Sequence, residues 1–534
     1  ADLEKIELTN SGIIKGRIYS YNSEYSDAVD KIINTGKMFG FLYLDGGNDI
    51  YDGRYGYIDS HIEAGDGNDV IYGGKEDNSI SGGAGDNYMA GGGGNDTYYV
   101  SSTGDRIVEA SGQGVDSVLS DVSFVLPENF ENLDLWGVGD GRANLNGTGN
   151  ALDNILIGNP GNNRLDGKAG NDRLDGDLGA DQLIGGAGND TYIVDDVGDT
   201  VVEAANAGSD RVISSIDFSL AKLGNVEHLR LSGSANIDAT GNSLTNVLEG
   251  NTGSNTLRGN SGNDTLNGAA GSDRLYGGSG ADVLTGGTGQ DVFVFDTGLG
   301  AAHVDKITDF SVADDTIWLD DAVFTKAGRI GDLKASAFHI GSKAHDGDDR
   351  IIYDKAAGKL YYDADGSGAG AAVQFATIGK NLALTANDFD VVTAMNVLRG
   401  GIGADTLTAG SGNDRIYGNL GSDTLTGGAG KDTFVFDTKP SSTNIDTIKD
   451  FSVADDTIWL DNAVFSKAGA IGDLKTEAFC VGTKAKDASD RVIYDKATGK
   501  LWYDADGNGK SAAIQIALLT KNLSLTASDF DIIG

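Results

Sequence analysis

The sequence predicts an all-β fold: a β-solenoid built from glycine-rich nonapeptides, interrupted by wider coils and by two β-rich segments. Three observations predict it. From Gly250 to Val294 five nonapeptides follow without a gap, opening at Gly250, Gly259, Gly268, Gly277 and Gly286, and self-similarity at a fixed short period marks a stacked repeat. Each approximates G-G-x-G-x-D-x-U-x, with Asn255, Asp264, Asp273, Asp282 and Asp291 sixth and the apolar Leu257, Leu266, Leu275, Leu284 and Phe293 eighth. The 534-residue chain holds 81 glycines but only 3 prolines, a balance that fits tight turns better than a proline-rich linker.

Within one nonapeptide, glycines at positions one, two and four suit a turn that needs positive φ and close backbone approach. The closing x-U-x is long enough for a short strand with U facing inward. One large apolar side chain per nine residues makes a thin core, so something else must hold the turns. The acid at position six supplies it. Two carboxylates about 4 Å apart repel by roughly 1 kcal/mol in water and about 4 kcal/mol at an effective dielectric of 20. A hard cation reverses that sign, and calcium accepts carboxylate and carbonyl oxygens in irregular geometry. A flexible glycine-rich linker would have no reason to keep an acid and an apolar residue in fixed phase.

This nonapeptide resembles the repeat of the RTX (repeats-in-toxin) calcium-binding family. The resemblance implies a parallel β-roll with two nonapeptides per coil and calcium held between turn n and turn n+2. Carried over, it pairs Asp264 with Asp282 and Asp273 with Asp291, with carbonyl oxygens near Gly262, Gly271, Gly280 and Gly289.

In chain order, residues 1–63 carry a looser rhythm. Asn10-Ser11-Gly12-Ile13-Ile14-Lys15-Gly16 recurs as Asn34-Thr35-Gly36-Lys37-Met38-Phe39-Gly40, a 24-residue spacing that suits wider solenoid coils. Residues 64–148 hold a first nonapeptide block, with Asp69, Asn78, Asn87 and Asp96 sixth, and then an expanded β segment. Asn keeps an oxygen ligand but removes a charge, so calcium is expected to bind more weakly there. Residues 149–240 repeat the plan, with Asn154, Asn163, Asp172, Asp181 and Asp190 sixth and Gly170 and Gly188 as implied carbonyl donors. The two expanded segments match at a shift of 94: Thr97-Tyr98-Tyr99-Val100 and Val108-Glu109-Ala110 return as Thr191-Tyr192-Ile193-Val194 and Val202-Glu203-Ala204, and Asp116 as Asp210. Their apolar alternation reads as strands.

The block of 241–294 is followed by 295–395, then by a last block at 396–435. There Asp405, Asp414, Asp423 and Asp432 stand sixth, with Gly403, Gly412, Gly421 and Gly430 as the implied carbonyl donors. Residues 436–534 then repeat 295–395 at a shift of 141: Asp309-Phe310-Ser311-Val312-Ala313-Asp314-Asp315-Thr316-Ile317-Trp318-Leu319-Asp320 returns as Asp450–Asp461. Both copies resemble the C-terminal cap domain of the serralysin metalloproteases, which finishes a β-roll.

That second resemblance brings no protease. The five histidines, His61, His228, His303, His339 and His345, are scattered and no H-E-x-x-H occurs. Neither does G-x-S-x-G, and the single Cys480 has no histidine nearby, so no enzymatic activity is expected of this chain. Asp363-Ala364-Asp365-Gly366 and Asp504-Ala505-Asp506-Gly507 start like an EF-hand loop, yet position twelve is Gln374 or Gln515 instead of Glu. A hairpin turn explains them better.

With 40 basic and 80 acidic residues the formal charge is −40, which argues against nucleic acid as a partner and leaves calcium ions as the natural counterweight. One cysteine gives no internal disulfide. No apolar run reaches membrane-spanning length. The opening Ala1-Asp2-Leu3-Glu4 does not read as an export leader, and an open first coil invites end-to-end pairing. The RTX resemblance instead implies export from a Gram-negative bacterium by the type I secretion machinery, read from an uncleaved C-terminus, here Ser528-Asp529-Phe530-Asp531-Ile532-Ile533-Gly534.

The expected role is a secreted calcium-binding protein of the cell surface or matrix, structural or adhesive, with a surface glycan as one candidate partner. The alternatives are the carrier end of a larger secreted enzyme and a self-assembling filament or surface-layer subunit.

Overall fold

The computed structural model describes residues 5–19, 28–137, 143–393, 397–400, 403–509 and 511–533. It is all-β. The helical turns among these residues are four three-residue 3-10 turns, at Ala335–Ala337, Ala386–Asp388, Thr476–Ala478 and Ala527–Asp529. The chain divides into two compact units, Ala1–Gly253 and Ser254–Gly534.

In the first unit the chain winds as a parallel solenoid whose register gives the length of each coil. Glu7 pairs with Lys31, Ile13 with Lys37 and Ile18 with Leu42, so the 24-residue rhythm is one wide coil with three short strands. The coils then narrow: Val70 pairs with Tyr88 and Ser79 with Thr97, two nonapeptides on. The expanded segments stay in the same sheet as coils of unequal length. Ser117 pairs with Asn132 after only 15 residues, and Asn132 pairs with Ile155 after 23. The unequal advance has a plain cause. Pairing fixes only where each strand lies, so excess chain leaves as a loop between strands.

Parallel in-register stacking puts every U side chain above its counterpart. Ile62, Ile80, Tyr98, Val118, Leu133, Leu156, Leu174, Tyr192, Val212, Leu229 and Leu248 form one buried column. Ile32, Tyr51, Ile71, Met89 and Ile107 form another on the facing sheet.

The second unit contains the duplicated design twice. In the first half, Thr256–Arg258, Arg274–Tyr276, Val292–Phe295, Thr316–Asp320 and Phe389–Val392 pair in that order, all parallel. The opposite sheet runs Thr265–Asn267, Val283–Thr285, Asp305–Ile307, then Val373–Thr377. There the chain reverses: Lys359–Tyr362 joins Val373–Thr377 antiparallel and Ile351–Asp354 joins Lys359–Tyr362 antiparallel. The Asp363-Ala364-Asp365-Gly366 stretch is the connection of this hairpin, with the Asp365 N–H donating to Asp363 Oδ1 and the Gly370 N–H to Asp365 Oδ2.

Aromatic rings close the apolar column where the coils stop. Phe324 sits edge-on to Tyr362 and Phe375, with centroids 5.1 and 5.2 Å away. The later copy repeats this order with Thr433–Phe436, Thr457–Asp461 and Phe530–Ile533 on one sheet and Asp446–Ile448, Ile514–Leu518, Lys500–Tyr503 and Val492–Asp495 on the other. Each copy's chain ends a sheet antiparallel, through Gly331–Asp332 or Gly472–Asp473.

Candidate metal centres

Position six directly precedes the inward strand, so its carboxylate is drawn under the turn. Asp69, Asp96, Asp172, Asp181, Asp190, Asp264, Asp273, Asp282, Asp291, Asp405, Asp414, Asp423 and Asp432 are all buried, none more than 5% exposed. One oxygen of each downstream acid is spent on the coil before it. The Asp264 N–H donates to Asp282 Oδ1 at 2.7 Å, Asp273 to Asp291 at 2.9 Å, Asp405 to Asp423 at 2.7 Å and Asp414 to Asp432 at 2.9 Å. The same bond joins Asp172 to Asp190 at 2.8 Å. Acids two repeats apart therefore stand in one column.

The second oxygen is what needs a partner. Oδ2 of Asp69, Asp96, Asp172, Asp181, Asp190, Asp273, Asp282 and Asp432 is buried and accepts no hydrogen bond, a costly state for a carboxylate. The position-one glycine leaves the space in front of it. A Cβ on Gly268 would lie 2.4 Å from Asp273 Oδ2 and 2.6 Å from the carbonyl oxygen of Gly286. On Gly167 it would lie 2.2 Å from Asp172 Oδ2 and 2.8 Å from the Gly185 carbonyl. An orphaned carboxylate oxygen and a main-chain carbonyl thus face one small gap that only glycine keeps open. An all-oxygen donor set of this kind fits a hard cation such as calcium.

Position four plays another part in the geometry. Gly262, Gly271, Gly280, Gly289, Gly170, Gly188, Gly403, Gly412, Gly421 and Gly430 all have positive φ. The carbonyls of Gly170, Gly262, Gly271, Gly403 and Gly412 lie against the position-four glycine two repeats on: a Cβ on Gly280 would come within 1.6 Å of the Gly262 oxygen.

Burial raises the acids' affinity for protons. It pushes Asp172, Asp181 and Asp273 up to about 7, Asp69 up to about 6 and Asp96 up to about 8. The N–H bond each accepts works the other way, and neighbouring acids add to the rise.

At Asn87, Asn154 and Asn163 the position-six amide resolves the same problem without charge, whereas Asn78 Nδ2 is left buried without a hydrogen-bond partner. Asn154 Nδ2 donates to the Phe130 and Glu131 carbonyls, and Asn163 Nδ2 to the Leu145 carbonyl and Asn159 Oδ1. Asn87 Nδ2 donates to Asp105 Oδ1. An amide N–H satisfies the oxygens that a cation would otherwise gather.

The column also contains acids that the nine-residue phase does not mark. Asp30 and Asp49 accept from the coils before them upstream, and Asp105, Asp116, Asp199 and Asp210 in the expanded coils. Asp305 and Asp315, with Asp446 and Asp456 in the later copy, carry it past the last nonapeptide. Most stand in the triplet Asp-x-U, as in Asp49-Ile50-Tyr51, Asp116-Ser117-Val118 and Asp315-Thr316-Ile317. That triplet is the signal which would have found them.

A family model described as the RTX calcium-binding nonapeptide repeat (4 copies) matches residues 63–98, 148–183, 157–192, 240–275, 268–298 and 399–434. The chain is also similar to two proteins of Rhizobium meliloti (strain 1021). It is 43% identical over 67 residues to endo-1,3-1,4-beta-glycanase ExsH and 44% identical over 64 residues to endo-1,3-1,4-beta-glycanase EglC. Each match covers 12% of this chain and 13% of the relative's length.

Proposed function

We propose that this chain, an RTX protein whose nonapeptide repeats bind calcium ions, is exported and folds as calcium fills its turns outside the cell, where it serves as a structural or adhesive part of the surface or matrix. The observation that carries this reading is the row of buried Oδ2 atoms without hydrogen bonds, from Asp69 to Asp432. At low cytosolic calcium, repulsion among them keeps the chain loose. Outside, calcium in the millimolar range matches the affinity of extracellular modules, about 10⁻⁴–10⁻³ M, and binding energy becomes folding energy. Export by type I secretion from a Gram-negative cell fits that order of events.

In this reading the ions sit between alternate turns, held by the pairs Asp172 with Asp190, Asp264 with Asp282, Asp273 with Asp291, Asp405 with Asp423 and Asp414 with Asp432. Position-one carbonyls such as those of Gly185 and Gly286 complete the set, and the position-four glycines remain candidates beside them. Far-UV circular dichroism tests it. The β signal is expected to be weak in chelator and to develop on titration to about 5 mM calcium, roughly tenfold above a ~0.5 mM site. A spectrum unchanged by calcium would refute coupled folding.

A second reading is favoured by the glycanase matches. A shared stretch that is 13% of each relative is what a carrier module attached to a larger enzyme would leave. A gene that continues from this chain into a catalytic segment decides for that reading.

A further inference from the structure

Two clusters of acids at the downstream ends of nonapeptide blocks differ from the turns within the blocks. Asp96, Glu109 and Asp116 each place a carboxylate oxygen within 4.8 Å of the others, and Asp190, Glu203 and Asp210 do the same. Asp96 and Asp116 precede paired strands, Thr97 lying beside Ser117, and are 1% exposed. Glu109 follows the strand Arg106–Ile107 and is 7% exposed.

The register explains what Glu109 does there. Within a block, the residue two repeats after a position-one glycine is another glycine, whose carbonyl faces the gap. Glu109 stands in that place relative to Gly91, as Glu203 does relative to Gly185. A side-chain carboxylate thus takes the place of a main-chain carbonyl. Glu109 Oε1 is held by the Gly91 N–H at 3.0 Å, the Gly92 N–H at 3.1 Å and the Tyr98 hydroxyl. Asp116 Oδ1 accepts from the Asp96 N–H at 2.8 Å, and Glu109 Oε2 and Asp96 Oδ2 are buried with no hydrogen-bond partner. In the second cluster, Oδ2 of Asp190 and of Asp210 is left in the same state, while Glu203 accepts from the Tyr192 hydroxyl and the Ala204 N–H.

We propose that each triad is a separate cation site, a three-carboxylate centre that ends its nonapeptide block and binds a hard divalent ion more tightly than the turns inside the block. Three convergent carboxylates repel strongly in a buried setting, and an ion is the partner that answers all three at once. Oxygen-only donors select a hard cation, and affinity among such sites rises with the number of charged ligands. Calcium is favoured over magnesium, which gives up its water reluctantly and demands near-octahedral geometry. The recurrence of the same four residue types, Asp96, Tyr98, Glu109 and Asp116 against Asp190, Tyr192, Glu203 and Asp210, supports a built arrangement. This inference rests on the calcium reading above and shares Asp190 with the turn pair of Asp172 and Asp190, but Glu109, Asp116, Glu203 and Asp210 belong to the triads alone, so it can fail by itself.

Anomalous diffraction from crystals of the full chain, soaked at limiting and then saturating terbium, tests it directly. Peaks inside both triads are expected, filling before those along the nonapeptides. Peaks along the nonapeptides with none in either triad would overturn the inference and leave the proposed function standing. Peaks in the triads alone would uphold it and remove the calcium reading of the turns. Turns that fill first would overturn the claim of tighter binding. In solution, native mass spectrometry of the E109Q/E203Q chain should count two fewer tightly held calcium ions than wild type. Tyr98→Phe with Tyr192→Phe, which removes the hydroxyls but no carboxylate, should keep both ions. An unchanged count in the glutamine variant contradicts the assignment.

Discussion

At Gly268 the conformation lies outside the left-handed region, so an alanine there introduces no backbone strain, only a methyl group. That methyl would occupy the gap shared by Asp273 Oδ2 and the Gly286 carbonyl. Gly268→Ala is therefore expected to weaken calcium binding by about tenfold, or roughly 1.4 kcal/mol, in calorimetric titration; an unaltered isotherm would remove position-one oxygens from the site. Asp282→Ala should weaken binding more than Asn87→Ala, because Asp282 contributes a buried charge while the Asn87 amide donates to Asp105. Equal titrations would count against that division of labour. Proton linkage gives a third test. Without a cation, Asp172, Asp181 and Asp273 hold protons up to about 7, against an ordinary 3.8, so between those values the folded state binds more protons than the unfolded one. Their contribution favours the calcium-free fold fully in acid and is lost as pH rises through about 7. Calcium affinity moves oppositely, since its ligands must be deprotonated. The β signal of the calcium-depleted chain is expected to fall between about pH 4 and pH 7, and a signal that rises over this window would show the sign to be wrong.

Single strands in this molecule are too short to be stable alone and depend on the columns they stack into. Leu275 is fully buried and pairs in register with Leu257 on one side and Phe293 on the other. Leu275→Ala should cost about 2–5 kcal/mol, seen as a lower melting temperature at saturating calcium; a melt unchanged within error would mean that the column closes around the cavity. Elements were legible in the sequence wherever the nine-residue phase was kept, because acid, spacer and apolar residue then fix turn and strand together. They were less legible in the expanded coils. Ser117–Ser120 and Asn132–Leu135 lie side by side only 15 residues apart, and no local signal sets that distance. The place of Asp116, Asp305 and Asp315 in the carboxylate column is likewise fixed by pairing with a strand from the preceding coil, although each stands in the Asp-x-U triplet that marks it in the sequence.

For the whole chain, the formal charge of −40 and the buried carboxylate columns make calcium the expected switch of compactness. In chelator, small-angle scattering should give a radius of gyration approaching the ~87 Å expected of an unfolded chain this long, and calcium should reduce it sharply. A radius independent of calcium would mean that protons or neighbouring amides already balance the columns. The duplicated ends deepen the dependence, since Asp305 and Asp315, like Asp446 and Asp456, continue the carboxylate column past the last nonapeptide.

By itself the sequence determined the all-β solenoid and the acids at position six, because a short period forces each copy into the same environment; the coil of two nonapeptides was implied by the RTX resemblance, and the strand register shows it. Only the tertiary structure decided which oxygens face one another. Oδ1 is committed to the preceding coil and Oδ2 to the gap beside a glycine, and Glu109 enters the place of a missing carbonyl. Those relations join residues two repeats or more apart, and backbone pairing between coils creates them.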